Sequence, residues 1–148
     1  MYCSCELSKL LKEKGFKEST QLVWYEHLPS QNAVHDSEIG KPKRDYFYWE
    51  KEGERNSPWT NDSPIPSYIS GEVYSCPTHQ MAMAYLREKY GIFIAINNDD
   101  LDFNWQCFDL INRGSTLDQK ILSSSYGGFK RYEDAVEAAC LYALNNLI

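Results

Sequence analysis

Cys3, Cys5, Cys76 and His79 are the side chains in this sequence whose types and spacing come nearest to a recognisable chemistry. A C-x-C pair and a C-x-x-H pair are sterically workable for tetrahedral zinc, which takes thiolate and imidazole ligands. Spacing alone does not bring the two pairs together. The plainer alternative makes Cys3 and Cys5 thiols of a fraying start and His79 an exposed residue in the first turn of a helix. Structural zinc sites usually show C-x-x-C or H-x-x-x-H knuckles, and this chain has neither. The sequence therefore favours the plainer alternative, and no metal ligand is assigned.

Nucleophilic catalysis needs a Ser, Cys or Thr beside a general base, with a third group to orient the base. His27, His35 and His79 lie outside any motif of the G-x-S-x-G kind. Asp99, Asp100 and Asp102 cluster three carboxylates, but they lack the Gly and distal Glu of a calcium loop, so a solvated hairpin turn is the better reading. Gly127-Gly128 precedes a helix without the Lys and Ser/Thr that hold phosphate and magnesium in a P-loop. No catalytic, cofactor-binding or metal residue follows from these patterns. The expectation is a non-enzyme without a cofactor.

Periodicity places these residues on elements. Leu7, Leu10 and Leu11 fall at i, i+3, i+4 and predict a helix over 4–14, stopped by Gly15, with Phe16 folding back onto the last turn. Alternating and aromatic runs predict strands over 20–26 and 45–51, with a loop over 29–43 between them. Residues 52–66 hold Gly53, Pro58, Pro64 and Pro66 too closely for a regular element, and 68–74 predict a short strand broken at Gly71. Thr78 as N-cap and Gly91 as stop delimit a helix whose buried stripe is Met81, Ala82, Tyr85 and Leu86. Residues 92–97, apolar on both faces, read as a central strand. Asn98-Asp99-Asp100 is the next turn, and a second strand covers 103–111. An Asn112-Arg113-Gly114 turn leads to a third strand near 120–124. Val136, Ala139, Cys140, Ala143 and Leu147 recur at helical spacing over 132–147.

The 148 residues carry 15 Lys/Arg against 21 Asp/Glu, a net charge of −6, with 43% hydrophobic and 14% aromatic content. That length suits one domain around one core, and the aromatic content argues against disorder. The acidity gives no general attraction to phosphate backbones or anionic lipid. No apolar run approaches the ~20 residues of a membrane span, and the polar start is not a secretory signal. Five cysteines without a disulfide spacing suit a reducing cytoplasm, where the Asn61-Asp62-Ser63 sequon carries no meaning. Among the aromatics Tyr46, Tyr48, Trp49, Trp59 and Tyr68, Trp59 in the Pro-rich stretch is the one assigned to a partner surface, since Trp and Tyr dominate interface hot spots.

The helix–three strands–helix order of residues 77–148 resembles a double-stranded-RNA-binding domain, and the AACLYALNNL run at 138–147 is similar to that family's last helix. Such domains set a lysine cluster at the start of that helix to straddle phosphates. Here Lys130 and Arg131 are followed by Glu133, Asp134 and Glu137, a poor phosphate clamp. A second resemblance lies in Pro77-Thr78-His79-Gln80-Met81-Ala82, Tyr85-Leu86-Arg87-Glu88-Lys89, and Phe129 followed by Tyr132-Glu133-Asp134-Ala135-Val136-Glu137-Ala138-Ala139. These residues resemble uncharacterised small proteins of Bacteroidetes phages and integrated elements, with the pattern PTxxQAxxWLREK … FxTYEEAxEAAxxxAL. Tyr85 stands where that pattern has Trp, and Arg131 where it has a capping Ser or Thr. The resemblance covers the C-terminal half and implies origin, with no activity attached.

The sequence thus predicts a single α+β domain over 1–148, an antiparallel sheet with helices packed on one face, and a C-terminal α-β-β-β-α unit over about 77–148. The expected role is a non-enzymatic accessory or protein-interaction protein of a phage or mobile element, in the bacterial host cytoplasm. Its partner would be a protein, with nucleic acid and membrane disfavoured. The alternative is a nucleic-acid-binding module built on the double-stranded-RNA-binding topology.

Overall fold

A computed structural model describes residues 1–27, 43–48, 59–65, 71–109, 120–125 and 128–148. The first helix, α1 (Cys5–Glu13), starts at Ser4, whose side chain accepts from the Leu7 amide at 3.1 Å, and buries Leu7, Ser8 and Leu11. Gly15 takes a left-handed φ of 89°. The Phe16 and Gly15 amides then donate to the carbonyls of Leu11 and Lys12, a Schellman ending that drops Phe16 fully into the core.

Two three-stranded antiparallel sheets follow. One has the order β2-β1-β3, from β1 (Leu22–His27), β2 (Lys43–Tyr48) and β3 (Val73–Ser75). The other has the order β4-β5-β6, from β4 (Ile92–Asp99), β5 (Asp102–Asp109) and β6 (Lys120–Ser124). Helix α2 (His79–Tyr90) precedes β4 and α3 (Tyr132–Asn146) follows β6, so the predicted α-β-β-β-α order and α+β class are observed, but the described strands form two sheets where one was expected, the C-terminal unit having the second to itself. The central strand of the second sheet is β5 and not β4. The apolar run of β4 misleads because Ile92 and Ile94 face the helices while Phe93, on the other face, is exposed. Asp99 pairs with Asp102 across the hairpin, which tightens the turn to Asp100-Leu101, with Asp100 at a φ of 47°. Aspartate tolerates that left-handed conformation better than most residues.

Helix α2 is bounded as its sequence predicts. Thr78 accepts from the Met81 amide at 3.2 Å, and Gly91 caps the far end at a φ of 68°. Helix α3 begins at Arg131 without a side-chain cap, the consequence expected of an arginine at that position. Its buried stripe, Ala135, Val136, Ala139, Cys140, Ala143 and Leu144, packs on β4, β5, α1 and α2. Tyr85, Lys89 and Tyr90 of α2 all donate to the Lys14 carbonyl, closing the C-terminus of α1.

A second, smaller cluster joins Trp59 to Val23 and Val73 under the first sheet, with Tyr25 against it. Trp59 is 1% exposed, which overturns its assignment to a partner surface. Its backbone makes a two-way bridge with Thr20, at 2.7 and 2.8 Å. Just after it, the Asn61 amide nitrogen donates to the Phe16 carbonyl while its oxygen accepts from the Ser75 amide, so the sequon asparagine brackets two distant segments. Among the described residues no helix is long and apolar enough to cross a membrane. The expectations for His35, Trp49, Tyr68, Gly127, the turn at 112–114 and most of 29–43 and 52–66 fall outside the described residues.

Candidate functional site

The N-terminal segment is paired along the backbone with the start of α2. Tyr2 pairs with Thr78 in an antiparallel bridge, the Cys3 amide donates to the Pro77 carbonyl at 2.9 Å, and the His79 amide donates to the Met1 carbonyl at 3.0 Å. This short pairing covers the start of α2 and removes both Cys3 and His79 from water, at 1% and 6% exposure. Both were expected to be exposed, and the structure corrects both for the same reason. A first-turn residue is solvated only if nothing else crosses the helix start.

The crossing brings the Cys3 thiol and the His79 imidazole together with a third group, the Glu137 carboxylate of α3. Their ligand atoms lie within 4.8 Å of one another. His79 Nε2 meets Glu137 Oε2 at 2.7 Å, while Nδ1 is buried with no hydrogen-bond partner among the described residues. Ser4 holds the carboxylate from the other side. Its amide donates to Glu137 Oε1 at 3.2 Å and its hydroxyl donates to the same oxygen. Ser4 therefore caps α1 with its hydroxyl oxygen and anchors α3 with its hydroxyl proton.

Of the four residues considered as ligands from the sequence, Cys3 and His79 meet. The Cys76 thiol points to the Cys3 carbonyl at 3.5 Å, and Cys5 lies in the first turn of α1. Glu137 was missed because its sequence context marks it as one of three solvated anions beside Lys130 and Arg131. Only its place directly after the buried Val136 hinted otherwise. Its side chain is 20% exposed.

Beside the three groups lies a cavity of about 600 Å³, lined by Met1, Tyr2, Leu22 and Trp24 on its apolar side and by Arg131, Glu133 and Asp134 near the start of α3. Trp24 is fixed there by its indole N–H, which donates to the Cys3 carbonyl at 3.0 Å. That volume falls within the range of natural ligand sites, roughly 300–1,000 Å³.

Cys, His and Glu are also the parts of a thiol-based catalytic triad, but the arrangement differs. An activated thiol shares a hydrogen bond with the base, whereas the imidazole nitrogen not engaged by Glu137 has no such partner among the described residues. Burial, reinforced by the nearby Glu137 charge, holds the Cys3 thiol well above its ordinary range, toward the neutral and unreactive form. Burial also pushes Cys76 up to about 12 and Cys107 up to about 11, and raises Cys140 strongly.

No disulfide joins the five cysteines. Iodoacetamide at mildly alkaline pH should therefore modify native protein at Cys5, the half-exposed thiol, while Cys3, Cys76, Cys107 and Cys140 stay largely unmodified. In denaturant all five should react without prior reduction, as read by intact mass. Fewer than five adducts then, or rapid native modification of Cys140, would contradict this arrangement.

The acidic turn is already engaged. Asp99 accepts from the Asn104 side chain at 2.6 Å, and Asp102 pairs with Lys130. No protein-family model, curated protein or solved structure matches the chain.

Proposed function

We propose that this is a non-enzymatic accessory protein that binds a segment of a partner protein in the cavity beside Cys3, His79 and Glu137. The observation that carries this reading is the cavity itself. It is large, mainly apolar, and floored by a few convergent buried polar groups, the pattern of a binding site. Its lining includes Trp24, Tyr2, Met1 and Arg131, and Trp, Tyr, Met and Arg are the types enriched at protein interfaces. Tyr2 and Met1 are 47% and 62% exposed, so an incoming chain can reach them. The resemblance of the C-terminal half supports a phage or mobile-element origin, and the acidic, cysteine-bearing composition suits a host cytoplasm.

A nucleic-acid-binding reading has the α-β-β-β-α order in its favour. Against it, the two cations where that family concentrates lysines are already paired. Lys130 contacts Asp102, and Arg131 lies 3.6 Å from Glu133. These pairs are exposed and weak, but the carboxylates of Asp102 and Glu133 beside the two cations would repel an approaching phosphate.

Selection of a phage-displayed random peptide library against the immobilised full chain tests the reading. Peptides with a shared aromatic or aliphatic anchor should be enriched. Their affinity should fall about 30-fold in Tyr2→Ala, as for an interface hot spot of ~2 kcal/mol, and should fall in Arg131→Glu. Absence of enrichment, or binding indifferent to both changes, would reject it. Submicromolar, salt-sensitive binding to duplex RNA would favour the alternative.

A further inference from the structure

We propose that Cys3, His79 and Glu137 form a zinc site, with the fourth tetrahedral position turned to the cavity. Tetrahedral zinc with sulfur at ~2.3 Å and nitrogen or oxygen at ~2.0 Å spaces its ligand atoms roughly 3.3–3.5 Å apart, so atoms now within 4.8 Å of one another close by up to about 1.5 Å, while His79 Nε2 and Glu137 Oε2, now 2.7 Å apart, open by about 0.6 Å. One borderline-soft thiolate, one imidazole and one carboxylate make a donor set suited to zinc more than to calcium or magnesium, which take oxygen.

Three features distinguish this cluster from a histidine–glutamate pair kept only for packing. First, His79 is not saturated. A buried polar group in a folded core normally has its partners, yet Nδ1, the imidazole nitrogen that does not face Glu137, is buried with none among the described residues. Second, the carboxylate is held from outside the cluster by the amide and hydroxyl of Ser4, the kind of supporting contact that fixes a metal ligand's orientation. Third, the ligands come from three segments that the fold already brings together. The backbone pairing at Pro77 fixes Cys3, and the starts of α2 and α3 fix His79 and Glu137. A preformed cluster avoids most of the ordering cost of binding, and the cavity gives the ion a way in. On coordination the Cys3 S–H proton leaves to the buffer and the sulfur binds as thiolate, and the water-accessible fourth position takes a solvent molecule. The ion would tie the N-terminal segment to both helices.

The inference does not depend on what the cavity binds. It is tested on untagged full-length protein, stripped with chelator and titrated with Zn²⁺ and with Co²⁺. One equivalent of zinc should bind with submicromolar affinity. Cobalt should show the visible bands of a tetrahedral site and a thiolate-to-cobalt charge-transfer band. Cys3→Ser should remove the charge-transfer band and weaken zinc binding by more than about 100-fold, beyond the effect of losing a supporting contact. Ser4→Ala, which keeps all three ligands, should weaken it by roughly 10–100-fold. Circular dichroism on each variant separates loss of the site from loss of the fold. No stoichiometric binding by folded wild-type protein, or a charge-transfer band that survives Cys3→Ser, would overturn the proposal. Zinc binding without any peptide binding would overturn the partner reading and leave this one standing.

Discussion

Replacing Ala139 with glutamate should lower stability by about 4 kcal/mol or more, a large share of the roughly 5–15 kcal/mol that holds a domain together. Ala139 is fully buried on the stripe by which α3 packs on β4, β5 and the other two helices. Its neighbours along the stripe, Val136, Cys140 and Ala143, are equally buried and offer no polar partner within the apolar cluster. The larger side chain overpacks the site, and its carboxylate loses hydration without compensation. The pH dependence follows from the second effect. Burial raises a carboxyl group's folded pKa above its unfolded value near 4.3, so the deficit is smallest below about pH 4 and grows as pH rises above it. Urea melts at two pH values would show it. Asn145→Glu on the exposed side of the same helix is the control, expected within about 0.5 kcal/mol. An unchanged midpoint for Ala139→Glu would mean that α3 is not packed as described.

The contrast between α2 and the site beside it shows what a linear reading can reach. Thr78 and Gly91 set the ends of α2 through bonds that span three or four residues, and such signals are present in the sequence itself. The same holds for the Leu7–Leu11 stripe, the Gly15–Phe16 ending and the unassisted start of α3 at Arg131. The edge position of β4 depends instead on which strand follows which across the sheet, and its apolar faces could not report that. His79 and Cys3 fail for a related reason. Their burial comes from a pairing between residues 1–3 and 77–79, and nothing in either stretch announces the other. Glu137 was legible only as an anion on a helix. Its role rests on Ser4 and His79, which lie 133 and 58 residues away in the chain. Half of the candidate zinc ligands considered from spacing are present in the cluster, and the ligand that completes it had no spacing to betray it.

Trp59→Ala should cost about 3–5 kcal/mol, the range for removing a large aromatic side chain from a core. A Pro-rich stretch gives no periodicity to mark a buried residue, and an aromatic there reads naturally as bait for a partner. The structure instead closes Val23 of β1, Val73 of β3 and Tyr25 around the indole. Truncation would leave a void against β1 and β3, whose own pairing holds them in place, and backbone bonds on either side, to Thr20 and through Asn61, resist collapse into it. Poor collapse puts the cost toward the upper part of the range. Trp59→Phe, which keeps an apolar ring, should recover much of the loss. The two readings of Trp59 predict opposite pairs of results. A surface anchor would leave stability within about 0.5 kcal/mol and show its loss only in partner affinity. A core residue shows it in the urea midpoint of the isolated chain with the slope nearly constant. Hydrogen exchange at the Val23, Val73 and Thr20 amides should accelerate in the same variant, because these amides border the void. A midpoint for Trp59→Ala within error of the parent would return Trp59 to the surface and undo the cluster.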